Sequence, residues 1–183
     1  MEKRTVLFVD DEERVLSCLK GGLLGEPYEM FFASSGKEAL EILDKNEVHV
    51  IVTDMRMPEM GGLELLRIVK EEYPHIIRMV LSGNADIQTL LTAINQGEIF
   101  RFVTKPWDFD KDFKPAVRQA IDYYDLHSER EMLMRFVEQV MDDNEPNEVN
   151  LRLIQAIISK HKKQMSQWRE ACDSAQLAQE QNI

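Results

Sequence analysis

The sequence predicts an α/β protein: a doubly wound parallel sheet of five strands, followed by an α-helical extension with the spacing of a coiled coil. Three observations predict it. Short β-branched and aromatic runs alternate with amphipathic stretches up to Asp110, no such run follows, and apolar residues then recur at alternating spacings of three and four.

The candidate strands are Val6 to Val9, Tyr28 to Ala33, Val48 to Thr53, Ile77 to Leu81 and Phe100 to Thr104. Their nearly continuous apolar character suits strands covered on both faces. Between them, Val15, Leu19 and Leu23, then Ala39, Leu40 and Leu43, then Leu65, Leu66 and Val69 each mark one face of a crossover helix. Ser35 with Glu38 reads as a capping box, Pro74 ends the third helix, Asp86 caps the fourth and Gly97 closes it. Right-handed crossovers leave the doubly wound sheet as the economical topology. After Asp110, residues Phe113 to Met141 read as a long fifth helix with apolar Val117, Ile121, Tyr124, Val137 and Val140, continuing to about residue 142. Residues 142–147 (Asp-Asp-Asn-Glu-Pro-Asn) break it. A second helix over 148–180 carries Leu151, Ile154, Ile158, His161, Met165, Trp168, Cys172, Ala175 and Gln179 along one heptad seam. The expected division is a first domain over 1–124 and a helical extension over 125–183.

The 183 residues suit one core of ordinary size plus an appendage. A composition 44% hydrophobic and 30% charged is that of a soluble globular chain, and a net charge of -11 disfavours phosphate backbones and anionic lipid. No signal-peptide pattern precedes Val6, and no apolar run reaches the ~18 residues of a membrane span, so the expected compartment is the cytoplasm. Cys18 and Cys172 lie on helix-patterned segments and are expected to pack as small apolar residues. His49, His75, His127 and His161 show no metal-ligand spacing.

On this fold Asp10 and Asp11 follow the first strand, Asp54 the third, Ser82 the fourth and Lys105 the fifth, all at the sheet edge where open α/β sheets bind ligands. Three carboxylates converging there repel one another unless a cation lies between them, and oxygen ligands alone suit a hard ion such as Mg2+, with Mn2+ as a substitute. Lys105 adds a positive charge and Ser82 a hydroxyl donor, which together can meet the oxygens of a phosphoryl group. Asp54 is then placed to be the nucleophile that forms an acyl phosphate.

Phe8-Val9-Asp10-Asp11-Glu12, Asp54-Met55-Arg56-Met57-Pro58, Leu81-Ser82-Gly83 and Val103-Thr104-Lys105-Pro106 together resemble a response-regulator receiver domain, a flavodoxin-like fold, over roughly residues 3–124. The resemblance implies that Asp54 is the phosphoacceptor and that Asp11, Asp54 and the main-chain carbonyl of Arg56 contact Mg2+, with Asp10 acting largely through water. It further implies that Ser82, Gly83 and Lys105 bind phosphoryl oxygens, that Ser82 and Phe102 form the switch, and that the Lys105–Pro106 bond is cis. Arg56 and Asn84 are placed to tune the lifetime of the phosphorylated state. Gly61 departs from the pattern, where Asp is usual, and Phe102 lacks the hydroxyl of a Tyr switch.

The extension carries 7 Lys and Arg against 11 Asp and Glu, a net charge of -4, and lacks a helix-turn-helix pattern, so nucleic acid is not the expected partner. The stretch Phe100 to Asp108 resembles receivers joined to cyclic-dinucleotide phosphodiesterase domains, although no such domain follows, an observation that a longer parent protein would explain. Trp107 reads as an aromatic half-buried at a helix start. The expected function is a two-component response regulator, not an enzyme in the usual sense. It takes its phosphoryl group from a histidine kinase or phosphotransfer protein, acts on a downstream protein, and forms a homodimer through the tail or the last receiver helices. The rival readings are an aspartate-nucleophile phosphohydrolase and a phosphorylation-independent scaffold.

Overall fold

A computed structural model describes residues 3–83 and 99–142, together with Arg152, Gln155 and Ser159. The strands are β1 (Thr5–Val9), β2 (Glu29–Ala33), β3 (Val50–Asp54), β4 (Ile77–Ser82) and β5 (Arg101–Thr104). The described helices are α1 (Glu13–Gly22), α2 (Gly36–Leu43), α3 (Gly62–Glu72) and α4 (Lys114–Asp142), the last entered through a π-helical turn at Phe109–Phe113. The fourth helix expected between Asp86 and Gly97, the breaker after residue 142 and the heptad seam of 148–180 lie outside the described residues, as do Asn84, His161 and Cys172. The chain divides into two compact units, Met1–Ser128 and Glu129–Ile183.

In the first unit all strands run parallel in the order β2-β1-β3-β4-β5. This is the five-stranded doubly wound sheet expected from the strand-helix alternation. Successive side chains of each strand enter opposite layers. Val6, Phe8, Val50, Val52, Met79, Leu81 and Val103 pack with Leu19 and Leu23 of α1 and with Ala116, Val117 and Ala120 of α4. Leu7, Val9, Ile51 and Val80 pack instead with Ala39 and Leu43 of α2 and with Leu65, Leu66 and Val69 of α3. Every residue of β1 and β3 is therefore buried, which is why those segments read as unbroken apolar runs.

Local signals account for the helix ends, with two differences. The Glu38 N–H donates to Ser35 Oγ at 3.2 Å, as a capping box requires, but the Glu38 carboxylate reaches past Ser35 to accept from Ser34 N and Oγ, both at 2.7 Å. Those two donors hold its carboxyl below the usual Glu range. The other difference is Cys18, which is exposed. The face of α1 that meets the sheet runs through Leu16 and Leu19, and Cys18 points away from it. The apolar packing role expected for Cys18 is thus corrected.

Opposite the strand ends that carry the acidic residues, the ring of His49 is buried against Tyr124 of α4, with centroids 4.7 Å apart. The Thr5 N–H donates to His49 Nδ1 at 3.0 Å, and Arg4 lies 3.2 Å from Nε2 while its Nε pairs with Asp125 at 2.7 Å. Burial and then the Arg4 charge lower the His49 pKa from its usual 6.5. The folded chain thus binds this proton less readily than the unfolded chain. The contribution of His49 to stability is complete above the unfolded value and is lost as pH falls below it toward the folded one. The denaturant midpoint is expected to drop between pH 7 and pH 5, and the drop should shrink in His49→Asn; equal pH profiles would remove His49 as the cause.

Glu26, before β2, is held by a two-pronged pair from Arg118, at 3.0 and 2.9 Å. Beside it the Tyr28 hydroxyl is buried with no hydrogen-bond partner among the described residues. An unmet buried hydroxyl costs about 1–3 kcal/mol, so Tyr28→Phe is expected to raise stability by about 1 kcal/mol in denaturant unfolding. A loss of that size would mean that the hydroxyl is satisfied in solution.

In the second unit the described part of α4 exposes Met132, Met134 and Val137. Among the described residues, no helix is long and apolar enough to cross a membrane.

Candidate functional site

The sheet edge at the C-terminal ends of β1, β3, β4 and β5 gathers most of the residues singled out in the sequence. Asp10 follows β1, its N–H donating to the Ala33 carbonyl at 3.1 Å, which ties it to the end of β2. Its Oδ1 accepts from Glu12 N at 2.9 Å, a turn that starts α1. Asp54 ends β3 opposite Leu81. Its Oδ2 accepts from Arg56 N at 2.6 Å, and Thr53 Oγ1 donates to its main-chain carbonyl at 3.0 Å. Lys105 follows β5, its N–H donating to the Ser82 carbonyl at 2.7 Å.

The Lys105 ammonium joins these strand ends. Nζ lies 2.7 Å from Asp10 Oδ2 and 2.6 Å from Asp54 Oδ1. Asp10 and Asp54 are buried, and the Lys105 side chain is 19% exposed. Water screens such a group weakly, so the three charges are strongly coupled. Burial raises the Asp10 pKa, against the opposing pull of Lys105 and the Glu12 N–H, while the neighbouring Asp54 charge adds to the rise. For Lys105, burial acts to lower the pKa, but its hydrogen bonds to the two carboxylates and their charges outweigh it and the net direction is upward. The lysine is a fixed cation, and the carboxylates around it outnumber it.

Asp11 stands apart from this triangle: it is exposed. Consecutive residues leaving a strand point to opposite sides, so the doublet sends Asp10 inward and Asp11 toward solvent. The convergence of three carboxylates expected from the sequence is therefore a convergence of two, with the third at the rim. Ser82 is buried at the end of β4, paired with Thr104. Gly83 is exposed, and a Cβ there would meet the methylenes of Lys105 at 3.9 Å. Phe102 is half-buried, paired with Val80 and packed against the core layer of α2 and α3. The Lys105–Pro106 bond is cis. Trp107 is half-buried, with its ring 5.2 Å from Phe113.

Two contributors to the site were not singled out from the sequence. Thr53 reads there as a strand residue, yet its hydroxyl fixes the Asp54 carbonyl. Gly62, the first residue of α3, leaves no room for a side chain, since a Cβ would collide with the Asp54 carbonyl oxygen. The doublet Gly61-Gly62 was its one visible signal.

The model of the response regulator receiver domain family matches residues 6–115. The chain belongs to that family. Response regulator receivers are modules of two-component systems. The hydrogenase transcriptional regulatory protein HoxA of Cupriavidus necator is 36% identical over 132 residues, which cover 72% of this chain and 27% of that protein. The receiver of an HD domain-containing protein from Pseudomonas fluorescens Pf-5 is 35% identical with a TM-score of 0.64, covering 69% of this chain and 99% of that structure. A structure named adenylate cyclase from Rhodopirellula baltica is 35% identical with a TM-score of 0.69, covering 73% of this chain and 98% of that one. This receiver spans about a quarter of the length of the curated relatives it matches.

Proposed function

We propose that this receiver takes a phosphoryl group on Asp54 in a reaction that requires Mg2+, and that the change passes through β5 and α4 to the helical extension and a protein partner. The observation that carries the reading is the Lys105 ammonium held between Asp10 and Asp54 at 2.7 and 2.6 Å. An oxygen of Asp54 attacks phosphorus while the bond from phosphorus to the donor's leaving group breaks, and that group departs with the electron pair. Lys105 meets one oxygen of the transferring group, and Ser82 and Gly83 meet others. Arg56 and Asn84 tune the lifetime of the phosphorylated state, while Ser82 and Phe102 relay its presence.

Asp10, Asp11, Asp54 and the main-chain carbonyl of Arg56 are the groups that would hold the metal. The donor set fits a hard cation, because it is all oxygen and keeps a negative charge after Lys105 is counted. Among the described residues, no three His, Cys, Asp or Glu side chains gather closely enough to enclose an ion by themselves. Mg2+ usually binds through one or two carboxylates and keeps several waters. When bound, it supplies positive charge to the phosphoryl oxygens.

The phosphoryl donor is a histidine kinase or phosphotransfer protein, the location cytoplasmic, and the organisation a receiver over 1–124 with a dimerising extension over 125–183. Incubating the full chain with Mg2+ and acetyl phosphate, then weighing it intact, is expected to reveal one added phosphoryl group, absent when EDTA removes the metal. Steady release of inorganic phosphate without an adduct would instead indicate a phosphohydrolase, and neither adduct nor release a scaffold. Light scattering is expected to give twice the chain mass for the full protein and a monomer for a version ending at Ser128, where the first compact unit ends. Two monomers would contradict the dimer.

A further inference from the structure

We propose that Gly36, the first residue of α2, positions the phosphoacceptor loop by seating the side chain of Met60, an inference that rests on Asp54 being the acceptor. The loop from Met55 to Gly61 starts at Asp54 and has little slack. Arg56 N–H is held by Asp54 Oδ2, and Gly62 N–H donates to the Met55 carbonyl at 3.0 Å. Between them Met60 N–H donates back to the Pro58 carbonyl at 2.7 Å, with Glu59 at φ 63°. This three-residue turn puts a residue with a Cβ in left-handed backbone, which persists only where the surroundings over-determine it.

Met60 provides such a constraint. A Cβ on Gly36 would lie 2.6 Å from its Sδ, 3.0 Å from its Cγ and 3.1 Å from its Cβ. The Met60 side chain thus rests on the bare first turn of α2, and it packs against the same core layer. That first turn is itself fixed by Ser35 and by the bonds from Ser34 to Glu38. The end of β2, where it begins, is tied to Asp10 through Ala33. The thioether of Met60 can rotate out of the way of an added methyl group. Its Cβ can move only with the backbone of the turn, and therefore with the loop rooted at Asp54.

The test is a double-mutant cycle on the full chain, reading the rate of phosphoryl uptake from acetyl phosphate with Mg2+ by intact mass. Gly36→Ala is expected to slow uptake about tenfold by misplacing the loop, with no loss in thermal unfolding midpoint, since Ala is the better helix former. Met60→Ala alone is expected to slow uptake by emptying the seat. The double variant is expected to lose less than the product of the two single losses, because the approaches to Sδ and Cγ are gone and only the 3.1 Å approach to the Cβ at position 60 remains. Wild-type rates in either single variant, or losses that multiply in the double variant, would overturn the inference while leaving Asp54 as acceptor. A wild-type chain that takes up no phosphoryl group would overturn both readings.

Discussion

Asp54→Asn is expected to abolish phosphoryl uptake while leaving the fold intact. The effect is total because the amide nitrogen that replaces one oxygen has a delocalised lone pair and the remaining oxygen carries no charge to attack phosphorus. The fold survives because the amide oxygen can still accept a hydrogen bond, and because Lys105 keeps its partner Asp10 at 2.7 Å. Intact mass reads the first part and denaturant unfolding the second. Uptake at the wild-type rate in the variant would place the acceptor elsewhere.

Lys105→Met is expected to cost both chemistry and stability. Without the ammonium, the buried carboxylates of Asp10 and Asp54 face each other with no cation between them. The expected loss at pH 7 is about 3 kcal/mol, the low end for a broken buried pair, because the Lys105 site keeps some contact with water. Burial raises the Asp10 pKa even against the pull of Lys105, and in the variant that pull is gone, so Asp10 holds its proton more tightly folded than unfolded. The deficit is therefore present at neutral pH and shrinks as the pH falls and Asp10 is protonated. Unfolding midpoints of wild type and variant should differ at pH 7 and converge toward pH 5. A constant difference would show that lost packing of the lysine stem, and not charge, is the cause. Phosphoryl uptake should fall at every pH, since no other described side chain bridges the two carboxylates.

The sheet was legible in the sequence because both of its faces are covered. Segments such as Val50-Ile51-Val52 must then be apolar at every position, a pattern that helices with one wet face do not share. Each strand lies within two residues of its expected limits, and the differences fall at ends such as Tyr28 and Val48, which are buried without joining the ladder. The site was legible for a related reason, since the topology forces the ends of four strands to one edge whatever the loops do. The doublet Asp10-Asp11 was less so, because adjacent carboxylates look alike until the turn into α1 sends one inward. Contacts between distant segments were hidden altogether. Nothing near His49 announces Arg4 or Tyr124, and nothing near Gly36 announces Met60, since each pair meets only after the crossovers have formed.

The central claim is that Asp54 carries the phosphoryl group, and hydride trapping tests it most directly. Borohydride reduces an acyl phosphate to an alcohol and releases phosphate, so the acceptor Asp becomes homoserine. Peptide mapping of the full chain after exposure to acetyl phosphate and Mg2+, then borohydride, is expected to find homoserine at position 54 and intact Asp at positions 10 and 11. Homoserine at either of those positions, with Asp54 unchanged, would contradict it.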